Sequence, residues 1–105
     1  MHARREAQSL AIHRRIAGVL AERPREVIDK ARSNLESWLK IHHGSALETV
    51  YREWRGLLDT LTPDEISALI VAEGETATRL RQSSPFAGVL SPAEIWSIKR
   101  SHAAA

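Results

Sequence analysis

The sequence has no cysteine, few aromatic residues and no long hydrophobic run. The absence of cysteine excludes disulfides, thiolate nucleophiles and cysteine-ligated metal sites, and it fits the reducing cytoplasm, which is the location we expect. The most apolar stretch near the N-terminus, "SLAIHRRIAGVLAE", is interrupted by His13, Arg14 and Arg15. We therefore expect neither a signal peptide nor a membrane-spanning helix.

The composition is typical of one folded domain. The chain of 105 residues is 43% hydrophobic and 27% charged, which places it away from disordered chains. Chains of this size usually form one compact unit around one core. We predict a single domain over residues 1–105, with flexible ends at 1–8 and 101–105.

Charge is unevenly distributed along the chain, although the formal net charge is only +2. Basic residues outnumber acidic ones by 8 to 4 over residues 1–32 and by 4 to 1 over residues 76–105. Over residues 33–75 the acidic residues outnumber the basic ones by 8 to 3. This pattern can steer partners of either sign, or it can let the ends pack over the middle.

Helical periodicity runs through the chain, and no strand-like alternation is present. Apolar residues recur at three- and four-residue spacing from about residue 5 to 22, and Pro24 suits the first turn of a second helix that ends near "HHGS". There, Gly44 can adopt the left-handed conformation that closes a helix. Three later helix starts carry capping-box signals, namely "SALE" at 45–48, "TPDE" at 62–65 and "SPAE" at 91–94.

These patterns predict an all-α fold. We expect a compact bundle of about five helices, the last two short and joined by an apolar loop flanked by Pro85 and Pro92. Trp38 and Trp54 fall on the inner stripes of the second and third helices, which predicts that they meet in the core.

Gly74 leaves the fourth helix open to two interpretations. A glycine within "IVAEGETATRLRQ" either bends the helix or breaks it into two short helices, as in a helix-turn-helix. If it breaks, residues 63–84 become a candidate DNA-binding segment, because the second helix carries residue types that contact phosphates and base edges. These residues are Thr76, Thr78, Arg79, Arg81 and Gln82. Nearby carboxylates would repel phosphate, so a DNA-binding transcriptional regulator is the alternative function.

The basic N-terminal helix is a separate candidate for phosphate contacts. It carries Arg4, Arg5, Arg14 and Arg15, although solvation of an amphipathic helix explains these residues equally well.

No pattern of residues specifies a reaction. The sequence contains no glycine-rich phosphate loop, nucleophile elbow or zinc-peptidase motif. The five histidines lack the spacing of helical metal-ligand pairs, and the adjacent His42 and His43 suit the C-terminal end of the second helix. His13 falls on the apolar stripe, which is typical of a histidine at the core. We therefore predict a protein that is not an enzyme and has no catalytic residue, metal or cofactor.

The segment "QSSPFAGVLSP", residues 82–92, places apolar side chains between two helix signals. It either folds back to close one end of the bundle or is offered to a partner. In the second case, we predict that aromatic and aliphatic side chains bind the partner and that two arginines surround them. Aromatic residues and arginine are common at binding hot spots. They are Phe86, Val89, Leu90, Trp96, Arg79 and Arg81.

The last helix is expected to expose a large side chain. Ile95, Trp96 and Ile98 cannot all face the same side of a short helix, so at least one of them should be exposed unless another surface covers it.

The segments "IHRRIA", "ARSNLESWL", "YREWRGLLD" and "RLRQSSPFAGVLSPAEIWSIKR" resemble a group of small helical bacterial proteins in the antitoxin position of toxin–antitoxin gene pairs. The resemblance covers about residues 10–100. It implies direct neutralisation of a toxin encoded by a neighbouring gene, and often binding of operator DNA as well. The chain lacks the long disordered tail with which many antitoxins wrap their toxins, so contact would use a folded face.

The sequence therefore favours an antitoxin-like protein–protein interaction module that contacts its partner through the C-terminal loop and the last helix. Homo-oligomers are compatible with this hypothesis.

Overall fold

Six α-helices make up the fold. The structure is a computed structural model that describes residues 2–102, with side chains described for residues 4–102. The helices are α1 His2–Glu22, α2 Pro24–Ile41, α3 Leu47–Thr60, α4 Pro63–Ile70, α5 Glu75–Gln82 and α6 Pro92–Ser101. Residues 2–102 contain no strand. The all-α prediction is confirmed, and the count exceeds the predicted five by one because the chain breaks at Gly74.

The central element is α1, which packs against α2, α4, α5 and α6. Helices α2 and α3 form an antiparallel pair, since Trp38 lies against Tyr51 and Arg32 pairs with Asp59. The radius of gyration is 13.5 Å, close to the value of about 13 Å expected for a compact domain of this size.

The core collects side chains from α1 to α5 and from the loop before α6. Its most deeply buried side chains are Trp54, Leu20, Leu35, Ile66, Ile70 and Pro85. Helix α6 contains no buried residue, although Ile95 and Ile98 pack half-buried against the core.

Two of the three predicted capping boxes are formed. In α4 and α6 the hydroxyls of Thr62 and Ser91 accept from the backbone N–H three residues later, and the glutamate at that position accepts in return. The box predicted at residues 45–48 is wrong, because α3 begins at Leu47. Gly44 takes the predicted positive φ of 82°, and its N–H donates to the Glu48 carboxylate at 2.8 Å.

The Gly74 break is real. Its φ of 106° and ψ of 166° lie in a region that is essentially restricted to glycine. Helix α4 therefore ends at Ile70 and α5 begins at Glu75.

The chain ends differ from the predicted helix limits. Helix α1 begins at His2, where the periodicity predicted a start near residue 5. The predicted flexible ends fall partly outside the described residues, which exclude Met1 and residues 103–105.

Candidate functional site

The apolar loop before α6 closes the bundle. Phe86 is 2% exposed and Leu90 is also buried, while Val89 packs half-buried against the core. The Phe86 ring meets the Trp54 ring edge-on, with 5.7 Å between the centroids. In the structure the segment folds back onto the bundle, as the first of the two interpretations predicted. Phe86 and Leu90 are therefore not available to a partner in this conformation.

Asn34 on α2 fixes the path of that loop. Its side-chain amide donates to the carbonyl oxygens of Pro85 and Ala87, each at 2.9 Å. Both amide hydrogens are therefore used on the loop, 51 or more residues away in sequence.

Neither Arg79 nor Arg81 is an exposed cation without a partner, as the predicted rim of the contact surface requires. Arg79 donates through both terminal nitrogens to the Glu53 carboxylate at 2.8 and 3.0 Å. This hydrogen-bonded pairing lowers the pKa of Glu53 and raises that of Arg79. Arg81 is only 8% exposed and donates to carbonyls of the turn between α4 and α5.

Helix α5 presents a poor surface for DNA. Of the predicted nucleic-acid contacts, Thr76, Arg79 and Gln82 are exposed, Thr78 is half-buried and Arg81 is buried. Because Arg79 is paired with Glu53 and Arg81 is turned inward, the exposed face of α5 carries no arginine without a partner. The pair α4 and α5 thus has the helix-turn-helix sequence pattern without the cations that such a motif uses to hold phosphates.

The two tryptophans expected to meet have different neighbours. Trp54 is fully buried and its indole N–H donates to the Leu80 carbonyl at 3.0 Å. Trp38 is half-buried and packs against Tyr51, with ring centroids 5.3 Å apart. The predicted contact between Trp38 and Trp54 is not among the aromatic pairs of the described residues, and Trp54 pairs with the loop instead.

Among the apolar residues of the predicted contact surface, Trp96 is the exposed one. Its side chain is 62% exposed, because Ile95 and Ile98 take the inner face of α6. The Lys99 ammonium lies 5.9 Å from the Trp96 ring centroid, and the exposed Arg100 follows one helical turn after Trp96.

Helix α1 extends this surface across the seam with α6. Gln8 donates to the Lys99 carbonyl at 3.3 Å, and Arg15 pairs with Glu94 at 3.5 Å, so the two helices run antiparallel. Arg4 lies on the same side of α1 as Gln8, one turn earlier.

We call this surface the Trp96 face, and it consists of Trp96, Lys99 and Arg100 on α6 with Arg4 and Arg15 on α1. Among the described residues, Arg4, Lys99 and Arg100 form no ion pair. Sequence reasoning missed Lys99 and Arg100, although their positions three and four residues after Trp96 carried the signal.

Comparison with protein-family models, with curated proteins and with solved structures finds no match to this chain.

Among the described side chains, those of residues 4–102, no three from histidine, aspartate or glutamate are grouped to hold a metal ion. No helix in the same part of the chain is long and apolar enough to cross a membrane.

His13 is buried, as its place on the apolar stripe predicts. Its Nδ1 lies 2.7 Å from the Ser9 carbonyl oxygen, which requires the proton on that nitrogen. The other ring nitrogen, Nε2, is buried and has no hydrogen-bond partner among the described residues. Burial lowers the pKa of His13, opposed by the Ser9 hydrogen bond and reinforced by the Arg81 charge.

Proposed function

We propose that the protein is a non-enzymatic, antitoxin-like binding module that docks its Trp96 face onto an acidic protein partner. The observation that carries this proposal is the exposure of Trp96 beside Lys99 and one helical turn before Arg100, neither of which has a carboxylate partner among the described residues. A tryptophan ring with arginine and lysine neighbours is a composition that recurs at the centre of binding surfaces.

The energetics favour Trp96 as the anchor. An aromatic side chain buries roughly 150–250 Å² when it is fully covered, and 62% of Trp96 is still exposed. At about 25 cal/mol per Å², covering that remainder would stabilise a complex by roughly 2–4 kcal/mol. A partner that supplied an apolar pocket for this ring would therefore gain a hot spot.

The charges of the Trp96 face specify the sign of the partner. Lys99 lies 5.9 Å from the ring centroid, and neither Arg100 on the same helix nor Arg4 on α1 forms an ion pair among the described residues, while Glu94 of α6 is paired with Arg15. Complementary carboxylates on the partner would speed association and make it sensitive to salt.

The resemblance to antitoxins supports a narrower proposal about the partner. It suggests a cytoplasmic toxin encoded by the neighbouring gene, which this protein would neutralise by covering part of its surface. In this proposal Trp96 contacts the partner. The buried Phe86 and Leu90 do not touch the partner but hold in place the loop that precedes α6.

Co-expression with the product of the neighbouring gene tests the proposal. We expect the two proteins to co-purify and the protein to relieve growth arrest caused by its neighbour. Trp96→Ala should weaken the complex by about tenfold or more, with unchanged circular dichroism. The matched control is Ile41→Ala, because Ile41 is 73% exposed at the end of α2, a helix that contributes no residue to the Trp96 face.

Two results would contradict the proposal. In the first, the proteins form no complex while the chain retards its own upstream DNA at low salt, which favours the regulator. In the second, Ile41→Ala weakens the complex as much as Trp96→Ala does, so that the contact is a general apolar one.

A further inference from the structure

A polar groove lies between α1 and α5. It has a volume of about 510 Å³ and is lined by Arg5, Glu6, Ser9, Thr78, Arg81 and Gln82. Volumes of roughly 300–1,000 Å³ are typical of sites for small molecules. Five of the six lining side chains can donate a hydrogen bond, and the sixth, Glu6, is an acceptor.

Arg81 forms the buried wall of this groove. Its Nη1 donates to the carbonyls of Ile70 at 3.3 Å and Ala72 at 2.7 Å, and its Nη2 donates to the Thr78 hydroxyl at 3.2 Å. Three of its five N–H groups are thereby used, which leaves those on Nε and the second on Nη2 without an acceptor among the described residues.

No carboxylate among the described residues neutralises Arg81. None of the ion pairs includes it, even though the side chain is more than nine-tenths buried. A buried guanidinium is costly unless an anion accompanies it, and carbonyl oxygens satisfy its hydrogens without cancelling its charge. The groove therefore has a charge that an anionic ligand would compensate.

The other lining residues complete a set of donors. The exposed Arg5 adds a second guanidinium at the rim, Ser9 and Thr78 add hydroxyls, and Gln82 adds an amide. Glu6 is the one carboxylate in the lining, so two positive charges face one negative charge.

We propose that this groove binds a phosphate group, either as free phosphate or as part of a small phosphorylated molecule. Guanidinium groups match the geometry of phosphate oxygens. Phosphate also offers more acceptor oxygens than a carboxylate, which suits two guanidinium groups, two hydroxyls and an amide. The groove shares no residue with the Trp96 face. The proposal of a phosphate site can therefore be tested independently of the proposed protein partner.

Titration of the full chain with inorganic phosphate tests the site. Side-chain N–H signals of arginine and glutamine in NMR spectra should shift saturably, with the largest changes at Arg81 and Gln82 and a Kd of about 1 mM or tighter at low salt. Arg5→Ala should weaken binding by about tenfold. Arg14→Ala is the matched control, because Arg14 is exposed on the opposite side of the same helix and has no ion-pair partner among the described residues.

Arg5 is the better target than Arg81, since Arg81 also holds the turn between α4 and α5 and its removal can unfold that turn. The proposal is overturned by the absence of saturable shifts up to about 20 mM phosphate. It is equally overturned if Arg14→Ala loses as much affinity as Arg5→Ala, since that result indicates a general effect of charge.

Further ligands distinguish the sources of the phosphate group. Tighter binding of glycerol 3-phosphate than of phosphate, with the same residues shifted, identifies a phosphorylated small molecule, whereas equal affinity identifies free phosphate. A short single-stranded DNA that binds more tightly, is not displaced by phosphate and is insensitive to Arg5→Ala would overturn the small-ligand site in favour of a nucleic-acid surface.

Discussion

Replacing Phe86 with alanine should destabilise the protein strongly. The ring is 2% exposed and packs edge-on against the fully buried Trp54. The loop that carries it is held by Asn34 on both sides of the ring, at Pro85 and Ala87. Because that loop cannot easily collapse, alanine should leave a cavity between the loop and α3.

The size of the effect follows from the loss of the ring. Buried Phe→Ala substitutions cost about 3–5 kcal/mol, of which the aromatic pair with Trp54 accounts for about 0.5–1.5 kcal/mol. For a chain of 105 residues, the entropy of unfolding near the Tm is about 0.2 kcal/mol/K. The Tm should therefore fall by about 15–25 °C. The lost free energy is a large fraction of the unfolding free energy of an ordinary domain, which is about 5–15 kcal/mol.

Thermal and urea unfolding followed by far-UV circular dichroism measure this loss. Trp96→Ala is the control, since it removes an even larger aromatic side chain that is mostly exposed, and its Tm should change by no more than about 2 °C. If Phe86→Ala melts within about 3 °C of the parent chain and keeps its urea midpoint, Phe86 is not a core residue. The loop would then be free to serve as the contact surface that the sequence alone also allowed.

Two further predictions concern pH and backbone strain. Burial lowers the folded-state pKa of His13 below its ordinary value of 6.5. At pH values between the folded-state and unfolded-state pKa, the unfolded chain therefore binds more protons than the folded chain. The contribution of the neutral His13 to the free energy of unfolding should be fully present above about pH 6.5. On acidification below that value, the free energy of unfolding should fall by up to about 1.4 kcal/mol per pH unit. Urea midpoints measured at about pH 7.5 and 5.5 should show this fall in the parent chain and a smaller one in His13→Leu; equal falls would refute the assignment. Gly74→Ala should cost about 1–3 kcal/mol because φ is 106° there. By contrast, Gly18→Ala in α1, where an added Cβ meets nothing within 4 Å, should stabilise by up to about 1 kcal/mol. Thermal unfolding of both variants checks the signs, and destabilisation by Gly18→Ala to the same degree would contradict the reasoning.

The sequence by itself determined the features that depend on neighbouring residues. The all-α class and the starts of α2, α4 and α6 follow from proline and capping residues whose partners lie within four positions. The start of α3 was missed because the Gly44 N–H competes for the Glu48 carboxylate, and two local signals for the same acceptor cannot be ranked by pattern alone.

Only the tertiary structure decided which side chains of the predicted contact surface are available. The inward placement of Phe86 depends on Trp54 and Asn34, both more than 30 positions away in sequence, and Arg79 is paired across 26 positions with Glu53. Periodicity predicted that at least one of Ile95, Trp96 and Ile98 is exposed, because a single short helix can bury only one stripe, and the packing of α6 on the core decided that it is Trp96. Periodicity could not predict that Arg5 and Arg81 line the same groove, since the packing of α1 on α5 brings them together. Side-chain identity sets what a residue can bind, but burial and pairing are set by segments that are distant along the chain, and these decide whether it remains free to bind.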